Sequence, residues 1–220
     1  MKSARRRSRL EKRVQEALIV HFVAGVPART AAELEGINRN SAILFYVKLR
    51  EVIAAHLEQE TPYLAGDVEG DESYFGGHRK GKRGRGAAGK VPVFGLLKRG
   101  GKVHAVMIPN AKSLTLMGII REHVQPDSIV FTDGYYSYNS LDVSEFHHVR
   151  IDHKKELAAP NGRHINGIEN FWNQAKRHLR RYNGIPRHHF YLYIKECEWR
   201  FNYRPVSKLL RCLRAWTKAE

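Results

Sequence analysis

The stretch Val68-Glu69-Gly70-Asp71-Glu72-Ser73-Tyr74-Phe75 is where the hydrophobic pattern of the chain changes from helical spacing to a period of two, the period of a β-strand. Counting Asp67, this strand carries four acids in a chain whose formal net charge is +16. Carboxylates crowded in this way repel, so they are tolerated on a solvated edge or around a bound cation, and hard divalent ions such as Mg²⁺ take oxygen ligands of this kind. Working outward, two more strands are expected at 91–98 and 102–108, with Arg99-Gly100-Gly101 between them as a hairpin turn. Helical spacing returns over 113–124, where Leu116, Ile119, Ile120 and Val124 form a stripe. A strand at 128–132, a weaker one at 146–151, and long helices at 165–182 and 190–201 complete the order. That alternation predicts an α/β fold, a mixed sheet flanked by helices.

Towards the amino terminus the pattern is helical throughout. A linker with Pro62 inside it spans 58–66. Before it, Val14, Ala17, Leu18 and Phe22 form a helical stripe that Gly25 and Pro27 stop; a short helix at 28–34, a corner at Gly36-Ile37, and capping side chains at 38–41 then lead into a third helix. This is a small all-helical helix-turn-helix region. The expected organisation is a basic arm at 1–9, the helix-turn-helix at 10–57, an α/β domain at 66–204 and a basic helical tail at 205–220.

Composition narrows the function classes. Among 220 residues, 38 Lys and Arg stand against 22 Asp and Glu, and seven of the basic residues fall within the first 13 positions, which points to a polyanionic partner. At 42% hydrophobic residues the chain is too apolar to be a disordered polycation. Two cysteines, Cys197 and Cys212, without a CxxC pair argue against a disulfide scaffold or a structural zinc module. No apolar run reaches the 18 or so residues of a membrane span, and no secretory leader pattern opens the chain, so a cytoplasmic, nucleoid-associated protein is expected.

Two further acids stand out beside Asp71. Asp133 directly follows the apolar run Ile129-Val130-Phe131 at the carboxyl end of a strand, where α/β sheets present site residues. Glu169 opens a helix, and Lys176 follows seven residues later, about 700° of rotation and so nearly the same face. Between Asp71 and Asp133 lie 61 residues, and between Asp133 and Glu169 lie 35.

Gly70-Asp71-Glu72-Ser73-Tyr74-Phe75-Gly76-Gly77, Thr132-Asp133-Gly134-Tyr135 and His164-Ile165-Asn166-Gly167-Ile168-Glu169-Asn170-Phe171-Trp172, in this order and spacing, resemble the blocks of the DDE transposases of bacterial insertion sequences, in particular the ISXO-like group. The resemblance spans roughly 67–204. It implies an RNase-H-like catalytic fold in which Asp71, Asp133 and Glu169 hold two Mg²⁺ (or Mn²⁺) ions. On the same resemblance Asn166, one turn before Glu169, is a candidate to share the third position, and Lys176 matches the family's basic residue seven positions on. The implied activity is strand cleavage at element ends by water and strand transfer by the freed 3′-hydroxyl. The implied partners are double-stranded DNA, as terminal inverted repeats and target, and further copies of the chain in a homodimer or larger synaptic assembly. Unlike many relatives, the chain has no zinc-binding segment and offers the helix-turn-helix instead. A non-catalytic DNA-binding repressor and an RNase-H-like nuclease or resolvase remain the alternatives.

For the DNA contacts, Arg39, Asn40, Ser41 and Tyr46 are expected at or near base edges. Arg79, Lys80, Lys82, Arg83 and Arg85 among their glycines, and Arg177, Arg180 and Arg181 on the helix of Glu169, are expected on the phosphate backbone. Trp172 and Trp199 read as core, and Glu69 and Glu72 as bystanders.

Overall fold

The computed structural model describes residues 10–60, 63–76, 89–151, 164–182 and 184–218. They divide into two compact units, one built from 10–59 together with 181–218, the other from 60–180.

The first unit opens with α1 (Lys12–Ala24), α2 (Ala28–Leu34) and α3 (Arg39–Gln59), as the pattern predicts. The corner between α2 and α3 turns on Gly36, whose φ of 62° lies in the left-handed region that a glycine adopts without steric cost. The amide of Ile37 closes back on the Ala32 carbonyl at 3.0 Å, the bond that ends a helix at a glycine corner. Asn38 then caps α3, its Oδ1 accepting from the Asn40 amide at 2.8 Å.

In the second unit, β1 (Asp67–Phe75), β2 (Val91–Lys98), β3 (Val103–Met107), β4 (Ile129–Asp133) and β5 (His147–Ile151) form one sheet in the order β3-β2-β1-β4-β5. β1 pairs antiparallel with β2 and β2 antiparallel with β3, whereas β4 pairs parallel to β1 and β5 parallel to β4. The parallel step from β3 to β4 is made through α4 (Ser113–His123). A mixed sheet with helices on its faces is the α/β architecture expected. One face packs Val68, Phe94, Leu96 and Val130 against Leu116 and Ile120 of α4 and against Tyr138 and Leu141 of a 3-10 helix over Tyr136–Val143. The other receives α5 (Asn166–Leu179), which comes so close that a Cβ built on Gly95 of β2 would stand 2.7 Å from the Trp172 ring and 2.8 Å from Ile168. With both faces covered, β1 is buried nearly throughout and not at every second residue, a departure from the alternation read in the sequence.

The chain then returns to the first unit as α6 (Phe190–Asn202) and α7 (Val206–Lys218). Here the boundaries differ from those expected: the compact α/β unit ends at Arg180 and not at 204, and 205–218 is not a tail. Leu209 and Leu213 of α7 and Trp199 of α6 are buried in one core with Leu18, Phe22, Tyr46 and Ile53. The reason is amphipathicity: a basic helix with an apolar stripe buries that stripe against any matching face, and α1 and α3 offer one. Charge completes the join. Arg50 of α3, fully buried, donates to Glu196 at 2.7 Å, Glu196 also accepts from Arg200 at 2.8 Å, and Arg200 donates to the Phe22 and Val23 carbonyls that end α1. Leu213→Ala is therefore expected to cost about 2–5 kcal/mol in chemical denaturation; a free tail would lose under about 0.5 kcal/mol.

No helix among the described residues is long and apolar enough to cross a membrane.

Candidate active site on the central strands

The offset of 62 residues that pairs Asp67 with Ile129, Val68 with Val130 and Glu69 with Phe131 between β1 and β4 is also the offset between Asp71 and Asp133. Carried two residues past the last of these pairs, the parallel register sets the two aspartates side by side, and the pleat gives them the same face of the sheet as Glu69 and Phe131. That is the face on which α5 lies, because Glu69 Oε2 accepts a 2.8 Å hydrogen bond from the Ile168 amide. Glu72, of opposite parity, points the other way, where its Oε2 accepts from the Tyr138 hydroxyl at 2.7 Å.

Glu69, read as a bystander, thus sets the position of the third acid. No side chain of α5 caps its own amino terminus, and the Glu69 carboxylate, 1% exposed, supplies the missing acceptor from β1. Its charge is balanced by Arg99, whose Nε donates to Glu69 Oε1 at 3.1 Å and whose guanidinium lies 3.6 Å from the centre of the Phe131 ring. Arg99 also donates to the His164 carbonyl just ahead of the helix. With the first turn pinned in this way, Ile168, Phe171, Trp172, Ala175 and Leu179 bury the apolar stripe, and Glu169 stands beside the stripe, half-buried. The signal for Glu69 was present: it lies two residues from Asp71 in a strand, hence on the same face.

Asp71 feels its neighbours' charges. Asp71 is pushed up to about 8, first by burial and then by the charges of Glu72, Asp133 and Glu169. Asp133 Oδ1 accepts from the Tyr135 amide at 3.0 Å, which fixes the carboxylate at the turn after β4. Thr132 before it shares a 2.8 Å hydrogen bond with His148 of β5, whose Nδ1 meets Asp142 at 2.6 Å. Yet no three His, Cys, Asp or Glu side chains among the described residues stand close enough to hold an ion as placed. The ligand set expected of Asp71, Asp133 and Glu169 is assembled to the range at which the charges interact, and not to that of ligation. The donor set itself, carboxylate oxygens, is of the kind that suits hard divalent cations.

The remaining expected residues divide. Asn166 opens α5, exposed, one turn ahead of Glu169, and Lys176, Arg177 and Arg180 are exposed towards its other end. Arg181 is also exposed and donates to the Gly25 carbonyl of the helical unit. Arg39 and Asn40 are exposed and Ser41 half-exposed at the start of α3, where a helix-turn-helix presents its reading residues. Tyr46 is not available for that role. It is 1% exposed and packs edge-on against Phe22 at 5.0 Å, because the inward stripe of α3 runs Ala42, Tyr46, Leu49, Ile53. Arg79, Lys80, Lys82, Arg83 and Arg85, like the basic arm at 1–9, lie outside the described residues.

Residues 63–202, which include all three acids, match the model of the ISXO2-like transposase domain. The chain belongs to the ISXO2-like transposase family. Members of this family are DDE-type transposases of insertion sequences, in keeping with the three acid-bearing blocks and the RNase-H-like sheet. An uncharacterized transposase-like protein of Haemophilus influenzae is 56% identical over 117 residues, covering 53% of this chain and 94% of that protein. An uncharacterized protein in transposable element ISH50 of Halobacterium salinarum is 28% identical over 161 residues, and the chain spans only 55% of its length. Among solved structures, the Mos1 strand transfer complex aligns over 99% of this chain and 81% of that one at 10% identity, with a TM-score of 0.41.

Proposed function

We propose that this transposase-family protein cuts DNA at the ends of an insertion sequence and joins the freed 3′-hydroxyl ends to target DNA, with Asp71, Asp133 and Glu169 holding two divalent cations, Mg²⁺ or Mn²⁺. The observation that carries the reading is the parallel register of β1 and β4, which extended by two residues sets Asp71 beside Asp133, together with the hydrogen bond of Glu69 to the first turn of α5 and the charge of Glu169 acting on Asp71. When bound, the ions supply Lewis-acid activation of the attacking oxygen and stabilisation of the leaving oxygen at phosphorus.

The protein's own groups do the rest. Asp71 and Asp133 hold the ions on the rigid sheet, and Glu169 with Asn166 closes the set from the helix. Lys176, Arg177 and Arg180 follow along α5 as exposed cations for the DNA backbone. Arg39, Asn40 and Ser41 read the element end through α3. Two ends must be cut and joined together, so a homodimer or larger synaptic assembly is the working form on DNA.

The test is strand transfer by the purified chain, with Mg²⁺, from a pre-cut end bearing a 3′-hydroxyl into plasmid DNA. Joined products are expected. Hydrolysis without joining would make the protein a nuclease or resolvase, and tight DNA binding with neither reaction would make it a repressor.

A further inference from the structure

In the helical unit, α2, α3 and residues 181, 182, 184–186 and 193 line a cavity of about 330 Å³. Three arginines (Arg29, Arg50, Arg181) and three tyrosines (Tyr46, Tyr182, Tyr193) line it, together with aliphatic side chains of α3, and no acid does. Arg50 lies buried at its base, with Nη2 donating to the Tyr182 hydroxyl at 3.2 Å and the guanidinium 3.9 Å from the centre of the Tyr193 ring. The rings of Tyr182 and Tyr193 meet edge-on at 5.0 Å, both half-buried. Arg29 and Arg181 are exposed. The Tyr46 hydroxyl is buried and has no hydrogen-bond partner among the described residues. Beneath the wall, Glu196 is shared between Arg50 and Arg200, so the surroundings keep an excess of positive charge.

A site with aromatic walls, an arginine floor, exposed arginines and no carboxylate suits a flat π-system that carries negative charge. Its volume is at the low end for small-molecule sites and fits one nucleotide, not a duplex. Bases stacked in a double helix present no face to a tyrosine, whereas an unstacked base does, and guanidinium groups recognise phosphate with paired donors. We propose that this cavity binds one unstacked nucleotide of a single DNA strand, with the base against Tyr182 and Tyr193 and the phosphates on Arg29 and Arg181. The inference rests on the DNA-processing function proposed above and adds a strand-holding site on the helical unit.

The experiment uses the full chain without divalent cation and a single-stranded thymidylate dodecamer carrying one 5-iododeoxyuridine. After irradiation, the cross-link is expected on Tyr182 or Tyr193 and should be competed away by unlabelled oligonucleotide. In fluorescence anisotropy, Tyr193→Ala should weaken single-strand binding about tenfold, from the loss of one stacking partner. Tyr193→Phe should bind as the parent does. Arg29→Ala, a change on the surface, should weaken binding and lower the salt slope by about one. Cross-links found only elsewhere, or parental affinity in both Tyr193→Ala and Arg29→Ala, would overturn the proposal. Asp71→Asn should give the same cross-link. A chain that joins ends without cross-linking here refutes the cavity alone, and one that cross-links here but never joins ends refutes the catalytic reading alone.

Discussion

Asp71→Asn is expected to abolish strand cleavage and strand transfer while making the metal-free protein more stable. Losing one of the carboxylates proposed to hold the cations should remove several kcal/mol of transition-state stabilisation, a fall in rate on the order of 10³-fold or more. DNA binding, proposed to rest on the basic faces, should stay within about twofold of the parent. The gain in stability has the opposite origin. In the folded protein burial and three neighbouring acids push Asp71 up to about 8, against an ordinary carboxyl value of 3.8. Between those two values the folded state binds more protons than the unfolded one, so the stability of the metal-free parent falls as pH rises from about 4 towards 8. Asn carries no titrating charge and escapes that loss. Its melting temperature should match the parent's near pH 4 and exceed it by roughly 10 °C or more at pH 8. Cation binding must displace the same proton, so Mg²⁺ affinity of the parent should rise with pH up to about 8. Strand transfer that survives in Asp71→Asn, Asp133→Asn and Glu169→Gln alike would remove the catalytic role from these acids.

Glu69→Ala should damage both fold and activity, although Glu69 is no part of the proposed ligand set. The substitution leaves the Ile168 amide without its acceptor and Arg99 without its nearest carboxylate, both at a covered interface. Breaking a buried charge pair from one side costs about 3–5 kcal/mol. The first turn of α5 then loses its anchor to β1, and Glu169 moves with it. A displacement of about 1 Å at a reacting centre is enough for a loss on the order of 100-fold in strand transfer. Glu69→Gln keeps an oxygen for the Ile168 amide and should recover a large part of the stability. Thermal unfolding together with strand-transfer rates separates the two roles. An alanine variant within about 0.5 kcal/mol of the parent and with parental activity would show that α5 is held by its apolar stripe alone.

The contrast between these two acids shows what was legible. Asp71, Asp133 and Glu169 could be picked out because each sits in a local context that announces a site: an acidic strand, a strand end before glycine, and a helix opening. Glu69 sits in the same acidic strand, but its role depends on a helix 99 residues further on, and no local pattern contains that. Tyr46 was misplaced for a related reason. A helix in a helix-turn-helix has an inward and an outward face, and which face carries the polar-tipped tyrosine is decided by the partners that cover it, here Phe22 and Trp199. Arg50 is the reverse case, a charge placed inside because Glu196 and two tyrosine rings receive it.

By itself the sequence determined the elements, their order, the strand character of 67–75, the hairpin at Gly100 and the helix-turn-helix corner at Gly36, and it singled out the acids proposed for the site. These are matters of short range, set by backbone sterics, side-chain periodicity and the chemistry of neighbouring residues. The tertiary structure alone decided that β4 pairs with β1 in the register that aligns Asp133 with Asp71, that Glu69 clamps α5, and that α6 and α7 return to the amino-terminal helices. Each of those joins surfaces far apart in the chain. Their selection depends on how much apolar area and how many buried polar groups are satisfied at once in the folded molecule, a sum over the whole chain that no single segment carries.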